Sequence, residues 1–148
     1  MSTITTMPNT LPFDAAPNSS RPTTRSSKAI WTGRILSGLA AAFLLFDAGL
    51  KISGLPAAVQ GTNELGYPAS VLLPLGILQL ALLALYLIPR TAIIGAVLWT
   101  GYLGGAIATH VRVGNPLFSH ILFPIYVAIL LWGGLRLRDT RVRGLYSK

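Results

Sequence analysis

An all-α integral membrane protein, a four-helix bundle behind a disordered N-terminal tail, is what this sequence predicts, on three observations. Four apolar runs of membrane-crossing length make up most of the chain. Ionisable residues are nearly absent from three of them. Basic residues collect just outside the runs, at the two chain ends. Of 148 residues, 52% are hydrophobic and 11% charged, against about 25% charged in an average soluble domain. So few charges, held at so few places, suit hydrocarbon as the solvent.

Residues 1–28 are rich in Ser, Thr, Pro and Asn and show no apolar periodicity. Such a segment buries too little surface to offset its ordering entropy, and it is expected to be disordered. A targeting peptide would need a basic amphipathic helix, which Pro8, Pro12, Pro17 and Pro22 oppose. A membrane domain follows over residues 29–139, then a basic tail at 140–148. The first helix is expected at residues 30–52 and carries Arg34, Asp47 and Lys51. It is too long for the apolar core of a signal peptide. The second and third, at about 69–88 and 91–110, are divided by Pro89-Arg90, which makes a tight hairpin. The fourth, at 117–135, follows Asn115-Pro116. Each run is near the ~20 residues that cross the hydrocarbon core.

Between the first two runs, residues 56–64 predict a short surface helix, with Pro56 at its first position and Gly66 after its end. Pro74 and Pro124 fall inside apolar runs and predict kinks. Gly101 and Gly105, and Gly38 and Ala42, have the spacing that lets helices approach closely. Packing within the bundle is the expected use of these pairs; a homo-oligomer is the other reading. Nine basic residues, among them Arg90, Arg136, Arg138 and Arg141, fall on one side of the membrane, with Arg34 snorkelling towards it; Lys51 and Arg112 fall on the other. The positive-inside rule then puts both chain ends in the cytoplasm of a cell-membrane protein. Trp31, Tyr86 and Trp132 are expected in an aromatic belt at that side.

The polar residues gather on the opposite side. Asp47 and Lys51 are four apart on the first helix and share a face. Glu64 is in the loop, His110 and Arg112 close the third helix, Asn115 is in the next turn, and His120 begins the fourth. Gln79 lies deeper in the second. An ionised Asp in hydrocarbon costs about 2.5–3.5 kcal/mol on insertion scales, so Asp47 should face the bundle and find a partner. These eight residues are the candidate binding site, an outward pocket lined by Asp47, Glu64, His110 and the start of the fourth helix, with residues 53–68 as its lid. The alternative is an ion pair that only locks helix packing. The histidines have no metal-ligand spacing, no catalytic triad or phosphate loop is present, and the absence of Cys excludes thiol chemistry in this chain. The basic residues form no stripe with interleaved aromatics, so the partner they imply is anionic lipid and not nucleic acid.

The sequence resembles the DoxX-like family of four-helix membrane proteins. LLFDAGLKI at 44–52, ELGYP at 64–68, GYLGGAIATHVRVGNPLFSH at 101–120 and LRLRD at 135–139 carry the resemblance. It implies a multi-pass fold and, through the family's namesake, a membrane subunit or a small-molecule component of a redox-linked complex, with quinone as candidate cofactor and redox subunits as candidate partners. Related bundles that reduce quinones with thiols need cysteines, which this chain lacks. A scaffolding membrane protein is the alternative, and an enzyme acting alone is the least favoured reading.

Overall fold

The computed structural model describes residues 27–144. Four of its helices are long and apolar enough to cross a membrane, spanning Ser27–Ile52, Ala69–Leu87, Ala92–Arg112 and Leu117–Arg138. In chain order the α-helices are α1 (Ser27–Ile52), α2 (Pro56–Glu64), α3 (Leu72–Leu87), α4 (Ala92–Arg112), α5 (Phe123–Arg138) and α6 (Thr140–Gly144). The expected disorder of residues 1–28 falls mostly on residues outside the described ones; Ser27 and Lys28 are already helical. The four long helices form a ring in which α1 and α4 each pack between α3 and α5. One end of the bundle holds the start of α1, the α3–α4 turn and α6. The other holds α2 and the α4–α5 turn, and is called the lid end below.

The closed end is tight because small residues and one tyrosine meet there. Gly33 and Ser37 of α1 pack against Gly134 of α5: a Cβ on Gly134 would lie 2.5 Å from Ser37 Oγ and 2.8 Å from Ser37 N. Gly95, near the start of α4, abuts the α3 backbone, where a Cβ would lie 2.5 Å from Tyr86 N. Tyr86 is fully buried. Its hydroxyl donates to Leu131 O at 2.9 Å and accepts from Ser37 Oγ at 2.9 Å, tying α3 to α1 and α5. Arg138 donates to Tyr86 O at 2.8 Å, and its guanidinium lies 4.8 Å from the ring centroid. Tyr86 is therefore a core residue and not part of an aromatic belt; its hydroxyl finds internal partners and has no need of the interface.

The basic tail folds back under this end. Val142 of α6 is buried, and Arg141 bonds Pro89 O in the α3–α4 turn. Asp139 caps α6 through the Arg141 backbone N–H at 2.9 Å. The Arg141 side chain, hydrogen-bonded to it, holds the Asp139 carboxyl below its usual range.

The structure departs from three expectations. Pro74 and Pro124 do not kink helix interiors; each lies in a first turn, where its missing N–H removes no helical bond. The fourth run is not one α-helix. Leu117–Ile121 is wound as a π-turn, and α5 starts at Phe123 after a break at Leu122. The small pairs do not pack within the bundle either. Gly38 and Ala42 are exposed, and Cβ atoms on Gly101 or Gly105 would meet nothing within 4 Å.

Candidate functional site

At the lid end the ring does not close on itself. A cavity of about 560 Å³ lies between α1, α3, α4 and α5, beneath α2. Local geometry builds both its rim and its lid. Pro56 starts α2 at a position that needs no N–H. Gly66, at φ +77°, ends it with paired bonds from Gly66 N to Asn63 O at 2.8 Å and Tyr67 N to Thr62 O at 3.1 Å, a left-handed cap that favours glycine. The same motif ends α4 at Gly114, with Asn115 N bonded to His110 O at 3.0 Å. The lid is pinned to α4 by Arg112, which bonds Leu65 O and lies 5.7 Å from the Tyr67 ring centroid. Thr109 Oγ1 is 3.4 Å from the Tyr67 hydroxyl.

The polar centre of the cavity is Asp47. Its Oδ2 accepts from Lys51 Nζ one turn along α1, and from Gln79 Nε2 across on α3 at 2.6 Å. All three line the cavity. The acid thus faces the bundle with a cation and an amide, as its cost in hydrocarbon demands, and both bonds are charge-assisted. Around this centre the wall is apolar. Trp99 and Tyr102 of α4 meet edge to face, their ring centroids 5.3 Å apart, and Phe43 of α1 meets Phe123 of α5 in the same way at 5.2 Å.

His110 lines the rim. Asn115 Nδ2 lies 2.8 Å from its Nδ1; with the amide donating, the ring proton sits on Nε2. The remaining candidates lie outside the cavity wall. Glu64 is exposed and accepts from Gln60 on its own helix at 3.0 Å. His120 is exposed and bonded to Ser119; its ring centroid is 5.6 Å from that of His110. Among the described residues, no third His, Asp or Glu joins these two histidines. Arg112 touches the lid at Leu65 and Tyr67, and Asn115 touches His110. The start of the fourth run contributes Phe123 and Pro124 to the wall.

Sequence reading passed over Trp99 and Tyr102, which together form much of the cavity floor. A signal was present. Trp99, Leu103, Ala106 and His110 follow helical spacing, so His110 predicts which residues share its face. The exposed Gly101 and Gly105 also line the cavity. Here the small-residue pair leaves space beside the floor and makes no helix contact.

Fold and site together define a multi-pass helical membrane protein with a polar-centred cavity open at one end of the bundle. The chain matches the DoxX-like family over residues 35–134 and belongs to that family. No curated protein and no solved structure matches it.

Proposed function

We propose that this protein binds one amphipathic small molecule in the lid-end cavity. The polar part of the ligand sits at Asp47, Lys51 and Gln79, and its apolar part lies against Trp99, Tyr102 and the Phe43–Phe123 pair. The observation that carries this reading is a cavity of about 560 Å³ with an apolar wall around one convergent polar cluster. Such a volume and lining are typical of ligand sites, which run at about 300–1,000 Å³. Gly101 and Gly105 are exposed and line the cavity, so its wall is thin there, as entry of a lipid-soluble molecule from the bilayer would need. A quinone is one amphiphile of this kind, and a redox-linked membrane subunit is the wider role that family membership suggests.

One observation favours the scaffold reading. The Gln79–Asp47 bond also ties α3 to α1, as a packing lock would. Asp47→Asn separates the two. It keeps the side chain's shape and an acceptor for Gln79 while removing the charge. With the molecule that copurifies identified by mass spectrometry, the variant should bind it at least several-fold more weakly and unfold at nearly the wild-type temperature. A variant that unfolds readily and binds as before would mark Asp47 as a lock.

The lid end is proposed to face outward and both termini the cytoplasm of a cell-membrane protein, because Arg90, Arg136, Arg138 and Arg141 share the opposite end. A reporter fused after residue 148 should be active only in its cytoplasmic form. Activity only outside the cytoplasm would reverse the topology.

A further inference from the structure

Two buried polar atoms, on residues that line the cavity, have no hydrogen-bond partner among the described residues. Gln79 is 2% exposed, and its Oε1 accepts no hydrogen bond from the described residues. Trp99 is 0% exposed, and its Nε1–H donates none. Both residues line the cavity near the middle of their spans. Buried polar atoms are paired in the great majority of cases, and each exception calls for a partner.

The chemistry of the missing partner follows from which atoms are unpaired. Gln79 cannot exchange its amide ends: only its NH2 group can donate to the Asp47 carboxylate, so the oxygen must point elsewhere. It needs a donor. Indole nitrogen is a donor only, so Trp99 needs an acceptor. Charge is already balanced by the Asp47–Lys51 pair, and an added unpaired charge at so buried a place is disfavoured.

Resting on the binding reading above, we propose that the cavity floor is a subsite for a neutral head group that both donates and accepts a hydrogen bond, an alcohol or phenol hydroxyl on an apolar amphiphile. The hydroxyl hydrogen goes to Gln79 Oε1, and a lone pair on the head group takes the Trp99 N–H. A head with acceptors alone, such as an ether or an aromatic diketone, satisfies Trp99 and leaves Gln79 unmet. A carboxylate adds a second anion beside Asp47.

The test uses the full chain in lipid nanodiscs and three probes with the same alkyl chain: a para-alkylphenol, its methyl ether and the matching benzoate. Binding is followed by calorimetry. The phenol should bind at one per chain and roughly ten-fold tighter than the ether, about the worth of one net hydrogen bond; the benzoate should bind more weakly than the phenol. Gln79→Met should abolish the preference of phenol over ether. Trp99→Phe keeps an aromatic floor and should weaken both probes while preserving that preference. This second variant carries the test if Gln79→Met fails to fold. Equal affinity of wild type for phenol and ether would overturn the inference, with water then serving the two atoms, while leaving the binding reading intact. If none of the three probes binds saturably, both fall.

Discussion

Gly95→Val is expected to destabilise the bundle by about 3 kcal/mol, at the upper end of overpacking costs. The atoms a new Cβ would meet are Tyr86 N, Tyr86 Cα and Leu85 C, all backbone, at 2.5–2.8 Å. No side chain can turn aside to make room, so α3 and α4 must separate at the end where a short turn joins them. Unfolding in mixed detergent micelles reads the effect. Gly101→Val provides the contrast, because its Cβ would meet nothing within 4 Å; it should change stability little.

Tyr86→Leu is expected to cost a similar amount, about 3 kcal/mol, through a different mechanism. The hydroxyl is hydrogen-bonded to Ser37 and to Leu131 O in a dry core. Each such bond contributes about 1 kcal/mol net, and a partner left buried without one costs about 1–3 kcal/mol. Leucine also loses the ring beneath the Arg138 guanidinium. Tyr86→Phe keeps the ring and should cost about half as much, measured in the same unfolding assay. Together the two positions hold the closed end: Gly95 brings the α4 backbone onto α3 there, and the Tyr86 hydroxyl joins three helices.

The four membrane-length spans, the Pro89 hairpin and the short helix after Pro56 were legible in the sequence because each has a local cause. Apolar length, a missing N–H and a left-handed glycine all act within a few residues. Asp47 was legible for an energetic reason, since a carboxylate in a span must find company. Features that depend on which neighbour lies across the bundle were not legible. Gly101 and Gly105 have the spacing of a packing motif, yet Gly33, Gly76, Gly95 and Gly134 make the close contacts, and spacing alone does not say which small residues face a neighbour. Tyr86 sits near a span end, where a belt aromatic and a core aromatic look alike; only the positions of Ser37 and Leu131 distinguish them. The π-turn at Leu117–Ile121 likewise followed from no pattern in the residues. Glu64 and His120 share the depth of Asp47, but depth does not fix which residues reach the cavity: both are exposed and absent from its wall, His120 beside the rim residue His110.

An amphiphile held in the lid-end cavity should leave the membrane with the protein. The most direct measurement is native mass spectrometry of the protein released from its own membrane, comparing wild type with Ala106→Trp, which places an indole in the cavity wall. Wild type is expected to carry one small molecule per chain, and the variant, folded to the same thermal stability, none. A bare wild-type chain, or the same adduct on both proteins, would contradict the binding reading.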